Sequence, residues 1–273
     1  MSVVKSIVDF YIRSSIHVAF AVVCWIGVTD LLLGINSRIE FYLFAFGGTV
    51  IGYNAIKFIS LLPQHKHFGL TMKLILIASA ISLLVASLTF MMLSTASQVA
   101  ALLSLVLVIG YAVPLLGKWP NFRNIGGLKI YIVALCYVVV TVLLPVLNNS
   151  SVIDLEVLYL AISRFLMILV LVLIFDIIDL NTDSPFLKTI PQTLGLRKAK
   201  VLASVLLAVL FATQLLWISD QRILEVNVLI AAVVAVFLWF ATPKRPGYYT
   251  QLYLESLPML WLLLLHFCKN HYF

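Results

Sequence analysis

The sequence predicts an all-α integral membrane protein, with nine transmembrane helices in a single bundle and a pocket that faces the cytoplasm. Three observations predict it: the composition, the spacing of the apolar runs, and the distribution of positive charge between them. Of 273 residues, 63% are apolar or aromatic and 11% are charged, whereas a soluble domain is about half apolar and about a quarter charged. The mean hydropathy is +1.12. A helix needs about 20 mostly apolar residues to cross a bilayer, so nine crossings use about 190 residues and leave about 80 for loops and tails. That leaves no room for a separate soluble domain, and residues 1–273 read as one polytopic membrane domain.

The apolar runs fall at about 15–35, 39–62, 70–94, 97–116, 126–147, 152–178, 198–218, 223–242 and 249–268, each bounded by polar residues, Pro or Gly. With the N-terminus placed inside and the helices alternating, the inner side collects 14 Lys and Arg, the outer side three (Arg38, Arg222 and Lys269), and Arg164 falls inside a helix. A bias of this size sets orientation, and a missed or invented crossing would scramble it. The expected location is a plasma membrane of bacterial type, with the N-terminus cytoplasmic and the C-terminus on the opposite side. The net charge of +7 is scattered through short loops, so its partner is the membrane lipid surface and not nucleic acid. Cys24, Cys136 and Cys268 lie far apart in apolar stretches and read as packing residues. Lys5, Asp9 and Arg13 precede the first run without a compact cleavage signal, so the first helix is expected to be retained.

The longer connections are on the inner side and hold the polar chemistry. The densest stretch is FDIIDLNTDSPFLKTIPQTLGLRKAK, from Phe175. At 3.6 residues per turn, Asp176, Asp179 and Asp183 fall within an arc of about 60°, and Pro185 ends the helix by forcing Ser184 out of helical geometry. Three carboxylates at the negative end of a helix macrodipole require a compensating charge. Mg2+ supplies it and commonly bridges carboxylates to a substrate phosphate; the plainer alternative is three solvated acids at a membrane edge. Lys188 and Thr189 follow, an ammonium and a hydroxyl suited to holding a phosphate. Arg197, Lys198 and Lys200 read as inner-side positive charge.

A second stretch, GGTVIGYNAIKFISLLPQHKH, ends the second helix. Asn54 and Lys57 share a face, and Gly48 and Gly52, four apart, would let a neighbouring helix approach closely. Two readings stand for the polar pair: half of a pocket rim ahead of a stop at Pro63, or a snorkelling lysine and an asparagine bonded across to another helix. His65 and His67 flank Lys66 and are assigned no metal. Arg164 lies deep in the sixth helix, where a charge faces the bundle interior and needs a partner; Asp30 and Glu255 are the candidates. The tyrosines that include Tyr53, Tyr111, Tyr137 and Tyr253 cluster towards the inner half as an aromatic belt.

The combination resembles the UbiA-type intramembrane prenyltransferase superfamily, with nine helices and two aspartate-rich motifs at the cytoplasmic ends of the second and sixth. DLNTD, Asp179 to Asp183, is similar to the second motif, DxxxD; KTIPQTLG, from Lys188, is similar to the stretch that follows it. YAVPLLGK, Tyr111 to Lys118, ahead of Asn124 to Lys129, resembles the connection between the fourth and fifth helices. The first motif, NDxxDxxxD, is where the sequence departs: Asn54 aligns with its leading Asn, but Ala55, Phe58 and Leu62 stand at its Asp positions. The resemblance implies that Asp176, Asp179 and Asp183 bind Mg2+, with Asp179 and Asp183 in catalysis, and that Asn54, Lys57, Lys188 and Thr189 bind substrate. Loss of the first motif's acids removes at least one metal's ligands, and Lys57 could replace one metal-mediated contact with the diphosphate by a direct one.

The activity this implies is transfer of an isoprenyl group from a diphosphate donor to a lipid-soluble acceptor, aromatic acceptors included. The alternative is an inactive relative that keeps the fold and binds a prenyl or lipid ligand or a membrane partner. A small transporter fits less well, because transporters show interrupted helices in corresponding halves and polar midplane sites.

Overall fold

The computed structural model describes residues 3–58, 69–112, 127–149 and 152–270. The expected stop at Pro63, the His65/Lys66/His67 group, Leu62, Lys118 and Asn124 lie outside them. Within the described residues the chain is helical without strands, and eight helices are long and apolar enough to cross a membrane. Four of these are α2 (Ile16–Leu33), α3 (Ile39–Phe58), α4 (Leu70–Phe90) and α8 (Leu155–Ile178, continued to Asn181), and α5 (Thr95–Ala112) is a shorter apolar helix. The span Lys129–Asn148 is built from α6 (Lys129–Val138), a π-helical turn (Val139–Leu143) and α7 (Leu144–Asn148). Beyond α8 come the short α9 (Ile190–Leu194), then α10 (Leu196–Trp217), α11 (Gln221–Phe240) and the last span. That span starts as a π-helical turn (Tyr249–Leu254) and continues as α12 (Leu257–Asn270). An amphipathic helix, α1 (Val3–Arg13), precedes α2 and is tied to the start of the last span by the Tyr248 hydroxyl, which donates to Asp9.

The breaks between helices follow from local chemistry. Gly34 ends α2 in the left-handed conformation, φ 64°, with its N–H on the Asp30 carbonyl. Asp154 caps α8 by accepting from the Val157 N–H at 3.0 Å, and Asp220 caps α11 by accepting from Arg222 N–H at 2.9 Å. At the other end of α11, the Lys200 ammonium donates to the Trp239 carbonyl at 2.8 Å, so one of the inner cations satisfies a helix C-terminus.

Helix α8 is the axis of the bundle. Its inner two-thirds, including Met167, Val170, Leu173, Ile174 and Ile177, is buried, with α10 and α6 packed against it. Apolar contact contributes little to helix association in lipid, so close packing and hydrogen bonds between helices hold the bundle. The α3–α4 crossing shows the packing. A Cβ built on Gly47 would lie 2.7 Å from the Ser82 carbonyl oxygen and 3.2 Å from the Ala86 Cβ, whereas one on Gly48 meets nothing within 4 Å. Close approach therefore depends on Gly47 and not on the Gly48/Gly52 pair, which helical spacing alone had favoured.

The hydrogen bonds centre on Arg164. Pro145 has no N–H, so the Thr141 carbonyl lacks its usual helical donor, and the Thr29 hydroxyl donates to it at 2.6 Å. The Arg164 guanidinium donates to Thr141 Oγ1 at 2.7 Å, to Thr29 Oγ1 at 3.2 Å and to the Trp25 carbonyl at 3.2 Å, and lies 4.0 Å from the Trp25 ring centroid. Neither acid expected beside it is its partner. Asp30 instead holds the loop after α2, accepting from the Ser37 N–H and hydroxyl and from Tyr42. Arg164 thus joins α2, α8 and the proline-interrupted span through hydroxyls, a carbonyl and a π face.

Gly47→Ala is expected to lower stability by about 1–3 kcal/mol through overpacking, and Gly48→Ala to leave it unchanged or raised. Thermal melting of the two purified variants in one detergent checks this; equal melting temperatures would contradict the assignment.

Candidate functional site

The inner end of α8 carries the acids, and it is not one continuous helix. α8 ends at Ile178, Asp179 opens a 3-10 turn, and the Asp179 carbonyl accepts from the N–H groups of Thr182 (2.9 Å) and Asp183 (2.8 Å). Ser184 is extended (ψ 135°), as expected before Pro185. Asp183 therefore lies beyond the helix, and helical periodicity does not place it beside Asp176. A lysine does. Lys129, the first residue of α6, has its ammonium 2.7 Å from Asp176 Oδ1 and 3.5 Å from Asp183 Oδ2.

The Asp176 side chain is fully buried and those of Lys129 and Asp183 are 17% and 16% exposed, so the contact is poorly screened. Asp179 lies within electrostatic reach of Asp183, Lys129 and Asp176. The buried Asp176 Oδ2 has no partner among the described residues. Three carboxylates and one ammonium leave a formal charge of about −2 at the end of α8, where the helix dipole already disfavours anions.

An open pocket of about 790 Å³ adjoins this charge, lined among others by Asn181, Thr182, Asp183, Lys188, Gln192 and Thr193. Lys188 has φ 45°, an uncommon left-handed backbone for a side chain of its size. Gln192 fixes the wall, accepting from the Thr189 N–H at 2.9 Å and donating to the Asp183 and Ser184 carbonyls at 3.3 Å. Thr189 itself is buried, its hydroxyl turned away from solvent.

Asn54 and Lys57 belong to a different cluster. The break between α1 and α2 puts Ser15 in the left-handed region, φ 62°. Its hydroxyl donates to Asn54 Oδ1 at 2.7 Å and accepts from the Lys57 ammonium at 3.0 Å. Asn54 Nδ2 donates to the Ser14 carbonyl at 3.1 Å and to Ser79 Oγ at 2.9 Å. Asn54 is buried with its amide fully engaged, a bracket between α2, α3 and α4, and Lys57 also donates to the Ile12 carbonyl at 3.4 Å.

Among the described residues, no three or more His, Cys, Asp and Glu side chains are gathered so as to enclose a metal ion. Mg2+ rarely uses such a cage; it takes one or two carboxylates and completes its shell with water and substrate phosphate. Asp179 and Asp183, with the unpaired Asp176 Oδ2 behind them, suit that mode for one divalent ion. In the sequence Lys129 stands out only as inner positive charge and as the end of the stretch similar to the fourth-to-fifth-helix connection. A lysine in the first turn of a helix facing the acidic end of another was the signal for its role.

Neither a family model nor a curated protein sequence matches the chain. Solved structures match it throughout. A UbiA homologue from Archaeoglobus fulgidus bound to GPP and Mg2+ matches with a TM-score of 0.66 at 14% identity, over 95% of this chain and 99% of that one. The homologue bound to Cd2+ gives 0.66 at 15% over 95% and 97%, and that bound to DMAPP and Mg2+ gives 0.65 at 14% over 96% and 99%. The chain therefore has the fold of these UbiA homologues, and with its eight long apolar helices it is an integral, multi-pass membrane protein.

Lys129→Ala leaves Asp176 buried without its cation and is expected to cost about 3–5 kcal/mol of stability, most of it recovered by adding Asp176→Leu. Melting curves of the single and double variants test this, and a single variant as stable as the parent would show that the pair does not hold the site.

Proposed function

We propose that the chain is a UbiA-like prenyltransferase that moves an isoprenyl group from a diphosphate donor to a lipid-soluble acceptor at the inner mouth of the bundle. The observation that carries this reading is the Lys129 bridge between Asp176 and Asp183, which leaves a formal charge of about −2 beside a pocket that Lys188 lines. Asp179 and Asp183 would hold one Mg2+, which supplies charge neutralisation for the diphosphate as its bond to the allylic carbon weakens. Lys129 fixes the Asp183 carboxylate from behind, and Lys188 donates to phosphate oxygens from the pocket wall. Lys57 has three ammonium protons, two of them directed at Ser15 and Ile12, and the third is left for the donor. Positioning with charge stabilisation does most of the catalytic work. The excess of Lys and Arg in the connections on this side makes it the cytoplasmic face of a bacterial-type plasma membrane, with the N-terminus on the same side and the C-terminus opposite.

A second reading, a relative that binds a prenyl or lipid ligand without turnover, is favoured by Ala55 and Phe58 at the inner end of α3 and by the fully engaged Asn54 amide. The two readings separate in one experiment. Detergent-purified chain is titrated with a geranyl-type diphosphate with and without Mg2+, then incubated with the labelled donor and lipid-soluble phenols. Mg2+-dependent binding that falls at least tenfold in Asp179→Asn/Asp183→Asn, with label transferred to a phenol, is expected. Binding without transfer supports the second reading, and no binding under any condition overturns the first.

A further inference from the structure

The end of the bundle away from the Asp cluster holds a second opening. The span Lys129–Asn148 separates the two ends by about 30 Å at 1.5 Å per residue, and the Asn149 amide that follows it donates to Ser37 Oγ at 3.3 Å. Ser37 belongs to the connection from α2 to α3. Here α2, α12 and that connection enclose an open crevice of about 440 Å³, and Gly27, Asp30, Asn36, Tyr42, Leu262 and His266 are among its walls. Small-ligand sites commonly measure about 300–1,000 Å³. α2 and α12 meet at Gly27, where a Cβ would lie 2.9 Å from Leu262 Cδ1. Leu263, another wall residue, is exposed on the outside of α12, so the crevice borders the lipid.

The buried Asp30 carboxylate receives three neutral donors: the Ser37 hydroxyl at 2.9 Å on Oδ1, and the Ser37 N–H at 3.0 Å and the Tyr42 hydroxyl at 2.7 Å on Oδ2. Two carboxylate oxygens offer about four acceptor positions, so one remains, on Oδ1. Among the described residues Asp30 has no ion pair, and an acid in a membrane span is costly and is kept where something pairs with it. Lys269 stands one turn beyond His266 on the same face of α12. Its ammonium donates to the Leu31 carbonyl, one of the last carbonyls of α2, which lack helical donors. Two of its three protons remain among the described contacts. The opposite charges thus meet α2 at consecutive residues, Asp30 and Leu31, without pairing with each other.

We infer that this crevice binds the zwitterionic headgroup of a phospholipid with a primary ammonium beside its phosphate, as in phosphatidylethanolamine. The ammonium donates to Asp30 Oδ1, the phosphate accepts from Lys269, and an acyl chain lies along Leu262 and Leu263. The charges of headgroup and crevice are complementary, and the apolar wall continues into the bilayer. A choline headgroup has no N–H to give Oδ1, and a glycerol headgroup brings the carboxylate no positive charge, so neither completes the site. The inference is independent of the prenyl-transfer reading, whose substrates bind at the opposite end.

The test uses the full detergent-purified chain, mixed with phosphatidylethanolamine, phosphatidylcholine or phosphatidylglycerol of the same acyl chains, and counts retained lipid by native mass spectrometry. The expected result is one ethanolamine lipid per chain, retained at least fivefold more strongly than the choline or glycerol lipid. In Asp30→Asn that preference is expected to vanish, and in Lys269→Gln retention of the ethanolamine lipid is expected to fall at least threefold. Equal retention of ethanolamine and choline lipids by the parent chain overturns the inference, because a merely structural Asp30 would not tell the two headgroups apart. Unchanged ethanolamine retention in Asp30→Asn overturns it as well. If Asp30→Asn does not fold, Lys269→Gln, at an exposed position, decides alone, and no loss in that variant overturns the site.

Discussion

The ammonium of Lys129, held between Asp176 and Asp183, is the contact on which the inner mouth depends. Asp176 is buried at the C-terminal end of the longest helix, where the macrodipole and desolvation both act against a carboxylate. Without a cation from a neighbouring helix, the end of α8 would not carry acids at that depth. With one, α6 and α8 are drawn together, the turn from Asp179 to Asp183 is oriented, and Asp183 lines the pocket. Packing, local backbone and electrostatics meet at one side chain.

The same economy appears deeper in the bundle, where polar groups are grouped at interruptions. Pro145 removes a helical donor, and Thr29 and Arg164 fill the gap with a network that crosses three spans. Ser15 breaks α1 from α2, and Asn54 and Lys57 satisfy the break. In both places the defect and its repair come from different helices. Each interruption therefore fixes how spans sit against one another, a specificity that apolar packing in lipid cannot supply alone. At the break before α12, His17 and Ser256 both reach the Leu252 carbonyl, so again a neighbouring helix satisfies the interruption.

Much of the fold was legible in the sequence, because membrane crossing imposes a single strong pattern, long apolar runs with charge sorted by side. The fold class follows from it; the UbiA-type resemblance rests on the DLNTD and KTIPQTLG stretches at the end of one run. Less legible was anything set by contacts between helices. Gly48 and Gly52 have the spacing of a close crossing, yet the contact falls on Gly47, since the rotation of α3 about its axis is decided by α4 and not by α3's own residues. Arg164 was recognisable as costly, but its partners are hydroxyls, a carbonyl and an indole face that carry no charge pattern to read. Asp176 and Asp183 share an arc on an ideal helix, but the chain leaves α-helical geometry at Asp179, and a residue some fifty positions earlier reunites them. For Asn54 the sequence left two readings open, a pocket rim or a bond across to another helix; its bonds to Ser14, Ser15 and Ser79 are of the second kind, and which residues supply them was not legible.

The central claim is that Lys129 supplies one of the positive charges at the mouth, so that one divalent ion completes it. The most direct measurement counts that ion. Purified chain saturated with a geranyl-type diphosphate is titrated with Mn2+ as a stand-in for Mg2+, and the bound ions are counted by electron paramagnetic resonance. The account predicts one Mn2+ per chain, lost in Asp179→Asn/Asp183→Asn. Two bound ions per chain would contradict it, because the acids would then be balanced by metal and not by Lys129.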